Sequence, residues 1–382
     1  MRPDAGTAAV VERVLSAHMG RQVRVLGTEH LGGEWAPVVR MTLDTDDDAC
    51  GPTVIVKTRR CGGTGWGYDP ANLRNEEASL RLLGSLGAAV APGVIAADGE
   101  AGVLVMTDLG AGPTVEQLVY GDDPGAARNA LIAMARSTGV MHARTRGKGG
   151  AYSALRAPLG PVDPVLDTRQ DISLERWDEL CSAVVSCGFP RAERATDDVI
   201  ALAGELQQPG LLLALTHQDL SPNNGVLTGD RVALVDFEGG GFRHLGLDAA
   251  LLRFPFPQYG RWATVPADVT DEMMQAYCDE LSRGWPMAQN DDAFAGLLAV
   301  GCAAWALIRT HRLPRVSDEH QRPEAAHRRR TQLLHTIETF IATAEQAGQF
   351  VGLVAWFNDL ARAMRQRWPE AAVTPRAFPA FA

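Results

Sequence analysis

Residues 215–227 read Leu-Thr-His-Gln-Asp-Leu-Ser-Pro-Asn-Asn-Gly-Val-Leu and set His217, Asp219 and Asn224 at the spacing His-x-Asp-x4-Asn. Beyond them the run Val-Asp-Phe-Glu-Gly-Gly adds Asp236 and Glu238. A loop that delivers a carboxylate and an amide, followed by a strand end that delivers another carboxylate, suits phosphoryl transfer. The transferred group carries several negative charges and so calls for a divalent metal. A carboxylate with an amide oxygen can hold magnesium that stays partly hydrated. A separate carboxylate must orient the attacking hydroxyl and accept its proton. Ser, Pro, Asn and Gly also punctuate ordinary loops, so the reading depends on the rest of the chain.

A site for a polyphosphate also needs a cation, and a group to fix that cation. Lys57 ends the run Val-Ile-Val-Lys, and strand alternation puts it on the face of Ile55. Glu76 opens the apolar face of the following helix, and its separation from Lys57 permits a bridge. Gly32 and Gly33 stand in a turn where backbone N–H groups could approach phosphates.

The elements that must carry these residues follow from periodicity. An amphipathic helix over 7–19 precedes three strands, at 21–27, 38–44 and 53–58. A helix over 71–87 is followed by strands at 93–97 and 102–109. The acidic stretch 44–52 reads as a hairpin connection. The glycine-rich stretch 61–70 reads as a connector, because it lacks the Gly-x4-Gly-Lys pattern of a phosphate loop. After residue 110 helical patterns dominate, at 123–145, 170–206, 268–283, 290–311, 324–346 and 349–366, with one hairpin over 224–236. The expectation is an α+β chain in two parts. Residues 1–108 form a small antiparallel sheet with one main helix, and 109–382 form a larger, mainly helical part. The tail 374–382 is expected to be loosely ordered.

Composition narrows the class. The 382 residues are 46% hydrophobic and 21% charged, with a net charge of −10, which argues against a nucleic-acid partner. The N-terminal residues lack the apolar core of a signal peptide, and no run of about 18 apolar residues is evident. The expectation is a cytoplasmic protein with no membrane partner. The six cysteines form no Cys-x-x-Cys pair and no zinc spacing, so they read as free thiols.

With these segments in this order, the chain resembles the protein-kinase-like superfamily, above all its small-molecule branch, the aminoglycoside phosphotransferase and choline kinase family. The matching segments are Leu-Gly-Gly-Glu-Trp, Val-Ile-Val-Lys, Asn-Glu-Glu-Ala-Ser-Leu-Arg-Leu-Leu, Val-Leu-Val-Met-Thr-Asp-Leu-Gly, Thr-His-Gln-Asp-Leu-Ser-Pro-Asn-Asn and Leu-Val-Asp-Phe-Glu, spanning residues 25–250. The resemblance implies a two-lobed fold with ATP, or GTP, and Mg2+ in the cleft. It implies Asp219 as catalytic base, Asn224 and Asp236 as metal ligands, and Lys57, partnered by Glu76, on the phosphates. It places the adenine edge on backbone near Thr107 and Leu109, makes His217 a brace, and leaves Glu238 as a metal, acceptor or structural residue. Asp248 is expected to brace the loop. Three departures separate the chain from protein kinases: Asp-Phe-Glu in place of Asp-Phe-Gly, Ser221 where lysine would stand, and no Ala-Pro-Glu segment. Glu34-Trp35 also departs from the phosphate loop of many relatives. The expected activity moves the γ-phosphate to a hydroxyl of a small molecule such as an amino sugar, aminocyclitol or antibiotic. The other readings are a nucleotide-binding pseudokinase and a metal-dependent phosphoesterase. Candidate acceptor-pocket residues are Phe254, Phe256, Tyr259 and Trp262, with acidic residues such as Glu272, Glu280, Asp291 and Asp292. Oligomeric state is open.

Overall fold

Apolar alternation builds a five-stranded sheet whose two faces meet different partners. The computed structural model describes residues 5–31, 38–44, 51–59, 69–161, 172–192, 194–254, 256, 259–318, 323–373 and 375–382. Helix α1 (Ala5–Met19) leads to β1 (Val25–Leu31), β2 (Val38–Leu43) and β3 (Thr53–Thr58), then helix α2 (Pro70–Ser85), β4 (Val94–Asp98) and β5 (Val103–Thr107). The strand order is β1-β2-β3-β5-β4, antiparallel throughout. Val39, Met41, Val54, Val56 and Val105 point to one face and bury Val11 and Leu15 of α1. Leu104 and Met106 point the other way and join Leu80 and Leu83 of α2 in the larger core. Lys57 follows Val56 and so faces away from α1. Asp69 caps α2 through a bond from the Ala71 N–H at 2.6 Å, with Pro70 at the first helical position.

The first strand runs later than 21–27. The Val23 N–H donates to Ser16 Oγ at 2.9 Å, so this segment is tied back to α1 before pairing with β2 begins.

The rest is mainly helical: α3 (Val115–Val119), α4 (Pro124–Thr145), α5 (Gly149–Arg156), α6 (Leu174–Ser186), α7 (Thr196–Gln207), and, after four short strands, α8 (Gly246–Arg253), α9 (Ala267–Ser282), α10 (Asp291–Thr310), α11 (Leu313–Ser317), α12 (Pro323–Ala347) and α13 (Val351–Arg367). The expected hairpin is β7 (Gly225–Thr228) with β8 (Arg231–Leu234), turned through Gly229, whose φ is +64°. A second pair, β6 (Leu213–Thr216) with β9 (Gly241–His244), encloses it and was not anticipated.

The crossing from sheet to helices is tied at both ends. Arg40 of β2 donates to both carboxylate oxygens of Asp108, at 2.6 and 3.2 Å, and to the Gly110 carbonyl at 2.9 Å. The Pro113 carbonyl accepts from the Leu227 N–H of β7 at 2.9 Å.

Two expectations need correction. Helix α10 is long and apolar enough to cross a membrane, with a mean hydropathy of 1.6 over its most apolar window. It lies between α8 and α12, and 72% of that window is buried, as in a core helix. The tail is docked rather than loose. Phe378 is fully buried, donates its N–H to the Thr264 carbonyl at 3.0 Å and meets the Tyr120 ring edge-on. Burying one such ring contributes about 1.5–3 kcal/mol, enough to hold a short tail.

Helices α8 and α10 cross at Gly301, where a Cβ would collide with the Gly246 carbonyl and press on Ala250. Backbone cannot yield as a side-chain tip can. Gly301→Ala is therefore expected to destabilise the protein by about 1–3 kcal/mol, read as a lower urea midpoint with an unchanged slope. An unchanged midpoint would show that the crossing is looser than this.

Candidate active site

Lys57 lies on the sheet face that looks toward α2 and is only 6% exposed. Its Nζ lies 2.5 Å from Glu76 Oε2, bonds Asp236 Oδ1, and stands 3.5 Å from Glu238 Oε2. Burial alone would lower the ammonium's pKa. The carboxylates of Glu76, Asp236 and Glu238 outweigh it and hold the pKa above its ordinary value. Burial pushes Glu76 upward, opposed by Lys57 and reinforced by Asp236. One cation thus gathers three carboxylates from β3's surroundings: one from α2 and two from the turn Phe237–Gly239 with its leading residue.

That turn begins at Asp236, whose φ of 68° and ψ of 55° are left-handed, a conformation uncommon for a residue with a Cβ. It redirects the chain as β8 ends. Asn75 of α2 donates to the Glu238 carbonyl at 3.3 Å, Arg156 donates to the Asn75 amide oxygen at 2.8 Å, and Tyr152 donates to the Gly240 carbonyl at 3.1 Å. These props do not show in the motif, although Asn75 sits beside Glu76 on the same helix.

The loop after β6 carries Asp219. Asp219 Oδ1 accepts from the Ser221 hydroxyl, and Oδ2 accepts from Asn224 Nδ2 at 3.2 Å. The same Nδ2 reaches the Asp219 carbonyl at 2.8 Å, so the Asn224 amide is turned and its oxygen faces away from Asp219, accepting from Asn223 at 2.7 Å. The Val235 N–H donates to the Asn224 carbonyl at 2.9 Å, which joins this loop to the start of the Asp236 turn. His217 spans both: its Nε2 donates to the Val235 carbonyl at 2.9 Å, its Nδ1 accepts from the Asp219 N–H at 3.3 Å, and its ring packs on Phe237.

Beneath the loop lies Asp248, fully buried in the first turn of α8. Its carboxylate accepts from the His217 N–H at 2.6 Å, from the Gln218 N–H at 3.0 Å and from His142 Nε2 at 3.3 Å. The Tyr277 hydroxyl donates to His142 Nδ1 at 2.9 Å, which fixes the Nε2–H tautomer facing Asp248. Gln218 reaches Asp248 only by adopting a φ of 71°. Burial would raise the Asp248 pKa, but His142 and the His217 N–H hold it below the usual aspartate value. The sequence offered no signal for Gln218, His142 or Tyr277.

The other expected residues fall as follows. Thr107 ends β5, and both its N–H and its hydroxyl are engaged by Gly93, each at 2.9 Å, so its N–H is not offered to a ligand. Leu109 follows it, half-buried, in the tied crossing segment. Gly32, Gly33, Glu34 and Trp35 lie outside the described residues. The aromatic side chains of the run are mostly taken by the core: Phe254, Phe256, Tyr259 and Trp262 are buried, the first three in the main core, and Tyr259 also lines a cavity away from the Lys57 cluster. Glu272 is taken by Arg128 and Glu280 by Arg283, while Asp291 and Asp292 occupy the first turn of α10. These acids are ion-paired or helix-terminal groups, as such faces commonly are.

Among the described residues no three acidic or histidine side chains are grouped to hold a metal ion, so a cation here would depend on an amide oxygen and water beside a carboxylate. Glu76, Asp236 and Glu238 surround a single ammonium, which leaves an excess of negative charge. Asp236 is partly exposed, and the Asn224 amide oxygen is hard and neutral. Oxygen ligands of this kind fit magnesium that keeps several waters.

A family model described as the phosphotransferase enzyme family matches residues 33–290. Among solved structures, the chain is similar to a choline kinase from Streptococcus pneumoniae at 16% identity, covering 88% of this chain and 100% of that one, with a TM-score of 0.45. It is similar to an aminoglycoside phosphotransferase from Alicyclobacillus acidocaldarius at 14% identity, covering 90% and 93%, with a TM-score of 0.45. An amicoumacin kinase in complex with AMP-PNP, Ca2+ and its ligand matches at 16% identity, covering 93% and 92%, with a TM-score of 0.43. No curated protein matches the sequence.

The Asp248 bonds set an acid limb of stability. A carboxyl whose folded pKa lies below its unfolded value of 3.8 stabilises fully above that pH. The contribution is lost as pH falls through the lower folded value. Asp248→Ala leaves the buried His217 N–H and the partly buried Gln218 N–H without their acceptor and is expected to cost about 3 kcal/mol or more at pH 7. Urea titrations at several pH values should show this gap narrowing below about pH 4. A gap independent of pH would contradict the charged, bonded carboxylate.

Proposed function

Because the chain belongs to the phosphotransferase enzyme family, we propose that it transfers the γ-phosphate of ATP to a hydroxyl of a small molecule. The observation that carries this reading is the joining of the Asp219 loop to the Lys57 cluster through Asn224, Val235 and His217. In this reading residues 1–108 hold the nucleotide, and 109–382 supply the loop, the metal ligands and the acceptor pocket. The adenine edge is read by backbone at Leu109 rather than by the engaged Thr107 N–H.

Lys57 binds the phosphates, and Glu76 keeps its ammonium charged and aimed. Asp236 and the Asn224 amide oxygen hold Mg2+. The chemistry it supplies there is charge neutralisation on the phosphate oxygens. Asp219 accepts a hydrogen bond from the acceptor hydroxyl, orients its oxygen for in-line attack and takes its proton. Ser221 and Asn224, bonded to opposite oxygens of that carboxylate, fix its plane. Asp248 holds the loop through two successive N–H groups, so its contribution is positional. Positioning and electrostatics carry most of such a reaction. The acceptor we propose is an amino sugar, aminocyclitol or antibiotic of similar size, in the cytoplasm where ATP is supplied.

A coupled ADP assay across hydroxylated acceptors tests the reading. Turnover is expected only with magnesium, to stop with EDTA, and to fall by about 10²–10⁴-fold in Asp219→Asn while calorimetric ATP affinity is retained. Full turnover in that variant would overturn the role of Asp219. Binding of ATP with no acceptor consumed would favour a pseudokinase.

A further inference from the structure

A second charged site lies where α10, α11 and α12 meet. A cavity of about 170 Å³ there is lined by Arg309, Arg312, Arg315, Arg328 and Arg329. No aspartate or glutamate lines it among the described residues. Five arginines line one hollow of a chain whose net charge is −10, with Arg309 buried at its base and Arg312, Arg315 and Arg328 exposed. The convergence is built by the fold. Arg309, Arg312 and Arg315 recur at intervals of three through the end of α10 and into α11. Arg328 and Arg329 stand on α12, where Gln332 one turn later donates to the Tyr259 carbonyl at 3.3 Å and closes the wall.

Arg309 is the informative member. It is only 7% exposed, lines the cavity, and its guanidinium makes no hydrogen bond or ion pair among the described residues. A helix C-terminus favours one nearby cation, but it does not account for five. Burial, with the charge of Arg312 added, lowers the Arg309 pKa to about 9, so its surroundings disfavour the cation that a bound anion would stabilise. Arg312 is lowered too, by burial and then by Arg315 and Arg329. Guanidinium is a planar fork matched to phosphate oxygens. The volume is below that of sites for drug-sized ligands, and the enclosure suits a compact ion over a polymer.

We propose that this pocket binds a small, soluble, multiply charged phosphate anion of the diphosphate class, with Arg309 as its buried anchor. None of the lining residues belongs to the Lys57 cluster or the Asp219 loop, so the two sites are separable.

The test is isothermal titration of the full chain with inorganic pyrophosphate, in EDTA and at ionic strength matched with sodium chloride. Wild type is expected to bind one equivalent, and Lys57→Met to bind with the same affinity. Arg309→Met is expected to weaken binding by about tenfold or more. Arg309 is buried, so the pair Arg328→Ser and Arg329→Ser, on less buried positions, provides a second route to the same loss. No binding by wild type, equal binding by the arginine variants, or loss in Lys57→Met would each overturn the proposal. The last would place pyrophosphate in the nucleotide cleft.

Discussion

One buried ammonium joins the sheet to the helical part of this molecule. Lys57 is carried by β3, Glu76 by α2, and Asp236 with Glu238 by the turn after β8. Removing such a charge from water is costly, and the cost is met only when opposite charges stand close. The cluster therefore forms only when all three elements are in place. The left-handed Asp236 and the bonds from Asn75 and Tyr152 are what keep the third element there.

Asp248 does for the Asp219 loop what Lys57 does for the join between sheet and helices. It is a buried charge whose solvation is replaced by protein donors, two of them successive N–H groups of the loop itself. His142 and Tyr277 extend that support into α4 and α9. The loop conformation is thus determined from beneath, and Asp219 is left with its carboxylate at the surface of a fixed frame.

Much of this was legible, for identifiable reasons. Alternation in Thr53–Thr58 puts Lys57 opposite Val54 and Val56, and the spacing to Glu76 allows the bridge that the structure makes at 2.5 Å. The hairpin announced itself through Gly229. What was not legible depends on distant partners. Strands β6 and β9 are four residues each and pair across an intervening hairpin, so neither carries a periodic signature. Composition did not reveal that Phe254, Phe256 and Tyr259 of the aromatic run would be taken into the main core. The tail looked loose because its anchor, Thr264, lies far away in sequence. Gln218 owes its backbone geometry to Asp248, thirty residues on, and no local pattern encodes that debt.

The segment that crosses from sheet to helices is fastened on both sides. Arg40 binds Asp108 and the Gly110 carbonyl, so residues 108–110 travel with the sheet. Pro113 is bonded to Leu227, and Thr114 bridges Val226, so residues 113–114 travel with the helices. Between these anchorages stand Ala111 and Gly112. Gly112 is pressed against the Leu227 carbonyl so closely that no Cβ would fit. The join between sheet and helices is thereby reduced to the torsions of two residues, an axle rather than a flexible strap.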